Sequence, residues 1–142
     1  MVRKLTKNLW TVAALAILLA TTACSSSSSP DKASVSIVMG DKVTTLRAFA
    51  SSINGNGVTV LGAIATPDPC YNFTASVTTT GNVIEATVKA VSQNTGCAVA
   101  LNRQNYTLTL STVPTGTWTI RVMHQEDAKT PLLQYETTLT IK

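Results

Sequence analysis

Tyr71-Asn72-Phe73-Thr74-Ala75-Ser76-Val77-Thr78-Thr79-Thr80-Gly81-Asn82-Val83-Ile84-Glu85-Ala86-Thr87-Val88-Lys89-Ala90-Val91 is the stretch whose periodicity decides the fold. Tyr71, Phe73, Ala75 and Val77 alternate with Asn72, Thr74, Ser76 and Thr78, and beyond the turn Ile84, Ala86, Val88 and Ala90 alternate with Glu85, Thr87 and Lys89. A period of two places successive side chains on opposite faces of a strand. Gly81-Asn82 suits a two-residue hairpin turn. Folding about it sets Val77 against Ala86, Ala75 against Val88 and Phe73 against Ala90 on an apolar face. The polar face then pairs Thr78 with Glu85, Ser76 with Thr87 and Thr74 with Lys89. Turn and register agree, which specifies the pairing.

The same logic applies toward the C-terminus. Trp118, Ile120 and Val122 alternate with Thr119, Arg121 and Met123, and Tyr135, Leu139 and Ile141 alternate with Glu136, Thr138 and Thr140. A loop over 126–131 places Val122 opposite Tyr135, Trp118 opposite Leu139 and Arg121 opposite Glu136. That exposed ion pair is worth about a few tenths of a kcal/mol. Between the hairpins, Cys97 to Leu101 and Tyr106 to Ser111 read as two more strands around polar Asn102-Arg103-Gln104-Asn105, and Val58 to Ile64 reads as one before Cys70. Threonine and valine dominate and long helical periodicity is absent, which is strand composition.

Seven short strands at intervals of about ten residues predict an all-β protein, an antiparallel β-sandwich over 58–142. Val113-Pro114-Thr115-Gly116-Thr117-Trp118-Thr119-Ile120-Arg121-Val122 resembles the Leu-x-Pro-x-Gly-x-Tyr-x-Val-x-Val corner of immunoglobulin-like bacterial modules. The resemblance implies an immunoglobulin-like sandwich. Val113 stands for the leucine and Trp118 for the tyrosine, whose hydroxyl closes the family's corner. Thr66-Pro67-Asp68-Pro69-Cys70-Tyr71, Cys97 and this corner together are similar to a set of bacterial envelope lipoproteins to which no activity is assigned.

Residues 34–57 form an N-terminal extension with two readings. Val35, Ile37 and Met39 alternate, and Gly40-Asp41 could turn them into a second strand at Val43 to Ala50. Val43, Leu46, Phe49 or Ala50, and Ile53 also sit at helical spacing, where Asn54-Gly55 could form the C-cap.

Arg3, Lys4 and Lys7 precede an apolar run from Leu9 to Ala20 that ends in Leu18-Leu19-Ala20-Thr21-Thr22-Ala23-Cys24. A basic head, a short apolar run and small residues are the layout of an export signal over 1–23. At about 12 residues the run is short of the roughly 20 that span a bilayer. The final residues resemble the lipobox of bacterial lipoprotein precursors, although Thr21 stands where leucine is usual. The resemblance implies that Cys24 carries diacylglycerol, becomes the first residue of the mature chain and anchors it to a membrane. Serine-rich 24–33 then reads as a flexible tether. Ser25 stands where aspartate marks inner-membrane retention in that family, so outer-membrane delivery is implied for a cell that has one.

Three of the eleven basic residues lie in the signal, leaving eight against seven acidic residues in the 119 that follow. The basicity is a targeting feature, and nucleic acid is not an expected partner. With Cys24 assigned to lipid, Cys70 and Cys97 of an exported chain read as a disulfide, the alternative being two buried thiols. Simple up-and-down alternation of the strands puts both cysteines at one end of the sandwich. The opposite end then collects the loops of Asn54 and Asn56, of Asn82, of Arg103 and Gln104, and of His124, Glu126, Asp127 and Lys129. Such loops are where a partner would bind, the alternative being plain solvated turns.

Chemistry is sparse. His124 is the only histidine and continues a core-facing row, Tyr71, Tyr106, Trp118 and Tyr135 fall on core positions, and no zinc set or other cofactor is expected. Asn72 and Asn105 match glycosylation sequons, a signal common by chance. The sequence therefore predicts a noncatalytic, lipid-anchored envelope module that binds an envelope protein or surface glycan through its loops. A coat or spacer without a ligand, and a hydrolase or metal-dependent enzyme around His124 and Asp127, are the alternatives.

Overall fold

The computed structural model describes residues 32–93 and 96–142. The expected signal, Cys24 and the tether up to Asp31 lie outside these residues. Eight strands follow in order: β1 (Ser34–Lys42), β2 (Ala50–Asn54), β3 (Gly57–Thr66), β4 (Tyr71–Thr80), β5 (Val83–Ser92), β6 (Asn102–Ser111), β7 (Gly116–Glu126) and β8 (Leu132–Ile141). They make a β-sandwich of two four-stranded sheets, β1-β6-β3-β2 and β4-β5-β7-β8.

The two hairpins have the registers read from the sequence. Val77 faces Ala86 and Phe73 faces Ala90 across β4 and β5, while Arg121 faces Glu136 and Trp118 faces Leu139 across β7 and β8. The inward row of β5, Ile84 to Ala90, is buried and meets Val58, Val60, Tyr106, Leu108 and Leu110 of the other sheet. Each fully buried aliphatic side chain contributes about 1.5 to 3 kcal/mol. Trp118 replaces the tyrosine corner with a bond of its own: its indole N–H donates to the Pro114 carbonyl at 2.8 Å.

Three expectations are corrected. Residues 34–57 are part of the sandwich, with neither a hairpin nor a helix among them. β1 runs through Gly40 to Lys42 with an irregularity after Met39 and pairs with β6, whereas β2 pairs with β3 at the opposite edge. Gly40 serves close approach: a Cβ there would lie 3.2 Å from the Asn105 carbonyl oxygen. Val43 to Phe49 has no regular structure and carries the chain from one edge of the sheet to the other.

Cys97 to Leu101 is not a strand, and Asn102 to Asn105 is not a loop but the start of β6. Val99 and Leu101 alternate but are 94% and 57% exposed, so no apolar face of a strand is buried there. Asn102 instead pairs with Thr66 and donates its amide to Thr66 Oγ1 at 3.3 Å. Among the described residues, six strands therefore run from Gly57 onward, and β1 and β2 bring the total to eight.

The strands do not simply alternate. β5 and β7 are parallel neighbours, because β6, which joins them, lies in the other sheet. This reverses the end at which the β7–β8 turn sits.

Candidate functional site: a cleft between the sheets

The candidate binding loops divide between the two ends. At one end, Val113 N–H donates to the Asn56 carbonyl and Thr119 N–H to the Asn82 carbonyl, each at 2.9 Å. Lys32 leaves from this end, its carbonyl 3.3 Å from Thr112 Oγ1. At the other end lie Thr66, Cys70, Ser92, Asn102 and the β7–β8 turn, with Asp127 N–H on the Ala90 carbonyl at 2.8 Å. Asn54, Asn56 and Asn82 are thus a strand length away from His124, Glu126, Asp127 and Lys129. Arg103 and Gln104 belong to neither turn: they are paired in β6, opposite Ala65 and Ile64.

At the Thr66 end a cleft of about 320 Å³ opens between the sheets. One wall is four consecutive residues of β3, Ala63 to Thr66, and the other comes from the ends of β7 and β8, including His124, Glu126 and Leu132. Strand side chains alternate, so a cleft facing the flat of a sheet is lined by every second residue. Four in a row means that the edge of β3 itself faces the opening. The pairing explains why: β2 stops at Ala50, opposite Leu61, and β3 continues five residues further.

An aromatic cluster adjoins the cleft and shares His124 with it. Phe49 stacks on Tyr135 with ring centroids 5.4 Å apart and also meets His124 at 6.0 Å and Tyr106 at 6.4 Å. The Tyr106 hydroxyl and His124 Nε2 share a hydrogen bond of 2.9 Å, and Tyr135 OH and Ser51 Oγ share one of 3.0 Å. Gly62 makes room for the cluster, since a Cβ there would lie 2.8 Å from Phe49 Cε1 and against the Tyr106 ring. Burial pushes His124 down to about 4 and raises the Tyr106 phenol. The imidazole is neutral at ordinary pH because charging it would strip water from a cation.

The acidic side chains at this end are engaged in building it. Glu126 accepts from the Tyr71 hydroxyl at 3.1 Å and from Lys129 Nζ at 3.0 Å. Asp127, at φ 48°, accepts the Ser92 N–H on Oδ1 at 2.8 Å and so ties the β7–β8 turn to the end of β5. His124 and Asp127 are therefore bonded to different partners and not to each other. Cys70 and Cys97 stand at disulfide-bonding distance, with Cα atoms 6.2 Å apart. Asp68 is close to both, but its carboxylate accepts the Cys70 N–H at 2.8 Å, and bonded sulfurs offer a metal no thiolate.

Sequence reasoning missed Leu46, Ala63, Ala65 and Leu132, which with Ile64 and Ala90 give the cleft its apolar lining. One signal was present. Leu132 and Leu133 are adjacent in a strand and cannot both face the core, and they are 64% and 52% exposed. No protein-family model, curated protein or solved structure matches this chain.

Proposed function

We propose that this chain is a noncatalytic binding module of a bacterial cell envelope, lipid-anchored through Cys24 and engaging a partner at the cleft. The observation that carries the reading is polarity. The chain enters the sandwich beside Thr112, while the cleft lies at the far end of the strands. A lipid on Cys24 would leave eight residues before Lys32, a reach of at most about 28 Å. A domain held that way keeps the cleft at the end opposite its attachment, open to another envelope protein or a surface glycan. The ionisable groups around the cleft are occupied in holding it together, which suits a binding surface better than an acid–base site.

Intact-mass measurement of the native protein should find acyl chains on Cys24, and crosslinked envelopes should yield a reproducible partner that is lost with Leu132→Asp. Leu132 is exposed, so this substitution leaves the fold alone. An unacylated mature chain would remove the anchor. A partner retained by Leu132→Asp but lost on substituting Asn54, Asn56 and Asn82 would move the site to the other end.

A further inference from the structure

The direction of the main-chain groups along β3 follows from its hairpin with β2. Gly55-Asn56 is a two-residue turn between paired Asn54 and Gly57. In such a hairpin the flanking pair exchanges hydrogen bonds, and every second residue after it points the same way. Gly57, Thr59 and Leu61 therefore direct N–H and C=O toward β2, and Val58, Val60, Gly62, Ile64 and Thr66 direct theirs toward β6. The same alternation carried through β6 sends the Arg103 carbonyl away from β3. It is found there, accepting the Val43 N–H at 2.9 Å.

Beyond Leu61 the alternation makes Ala63 and Ala65 present both main-chain groups to the line that β2 has vacated. Among the described residues, no strand or loop backbone pairs with them on that side. These groups differ from those on the outer edges of β1, β4 and β8. They open into a cleft flanked by Leu46 and Leu132, where Ala63 is only 5% exposed and Ala65 lies exposed at the mouth. Main-chain groups partly withdrawn from water gain more from a partner than groups on an open edge.

We infer that the cleft takes an extended peptide segment of another protein, which adds as a strand to β3 at Ala63 and Ala65 in continuation of β2. This rests on the binding-module reading above and names the partner's chemistry. Four residues of added strand span about 13 Å. Main-chain bonds supply the affinity and alternate side chains the selectivity in this mode of recognition. Ala63 and Ala65 leave room beside the backbone, while Leu46 and Leu132 offer apolar contact. The rim charges Glu126 and Lys129 neutralise each other at 3.0 Å, so the segment that fits is uncharged over its central residues.

The test uses random twelve-residue peptides displayed on phage and panned on the immobilised full chain in detergent. Enriched peptides should be uncharged at the centre. The tightest, made synthetically, should slow exchange of the Ala63 and Ala65 amides at least tenfold. It should also lose at least tenfold in affinity when alternate backbone nitrogens are methylated. Ala65→Pro, which removes an N–H that β6 does not use, should weaken binding by a similar factor. No enrichment, or binders that leave those two amides unaffected, would overturn strand addition. If a crosslinked envelope partner is still recovered and still needs Leu132, only this mode of contact fails. If peptides bind as described but no envelope partner is found, the envelope reading fails instead.

Discussion

Gly62 and His124 show how much of the cleft depends on single residues. The missing side chain of Gly62 is filled by Tyr106 and Phe49, and Tyr106 is 1% exposed with no room to retreat. Gly62→Ala should cost roughly 1 to 3 kcal/mol as overpacking, read as a lower urea midpoint with an unchanged slope. His124 makes stability depend on pH in a defined window. Its folded pKa is lowered to about 4 from 6.5, so between those values the unfolded chain binds a proton that the folded chain refuses. Stability should fall as pH drops from about 6.5 to about 4 and level off below, by at most about 3.5 kcal/mol at about 1.4 kcal/mol per unit. His124→Gln should flatten that portion of the profile. An unchanged slope would mean that the ring titrates in the folded protein as it does in water.

At the scale of elements, strands that carry a full alternating pattern next to a tight turn were legible in the sequence. Both hairpins, β4–β5 and β7–β8, have their expected registers because a one-residue slip would turn every apolar side chain outward. Legibility failed where pairing partners are distant in sequence. The stretch from Val35 to Ala50 read as a hairpin or as a strand and a helix, but only its first half is a strand, β1, and the irregular chain after it leads to β2 at the opposite edge of the sheet; the parallel pairing of β5 with β7 depends on β6 crossing to the other layer. The start of β6 read as a loop because Asn102, Arg103, Gln104 and Asn105 are all polar and carry no apolar row of their own, although three of their partners, Ala65, Ile64 and Ala63, are apolar. The Cys70–Cys97 link acts at this scale too, spanning 27 residues between the start of β4 and the irregular segment before β6. Loop-closure entropy puts its worth at about 3 to 4 kcal/mol. Replacing both cysteines by alanine should lower the unfolding free energy by that amount without changing the near-ultraviolet signal of Trp118. A loss below about 1 kcal/mol would show that the segment is already fixed by other contacts.

For the whole molecule, the sheets close around one core while β2 ends five residues before β3 does, and that mismatch opens the cleft. Composition could not announce it, because alanine and leucine at a strand edge look like core residues until the pairing is known. Only His124, Glu126 and Lys129, of the side chains singled out in the sequence, line it. Amide hydrogen exchange along β3 in the free protein tests the arrangement most directly. Thr59, Leu61, Gly62 and Ile64, bonded to β2 or β6, should exchange slowly, and Ala63 and Ala65 at least a hundredfold faster than Ile64. Equal protection at all six positions would mean that the edge of β3 is already covered, leaving no open strand to receive a partner.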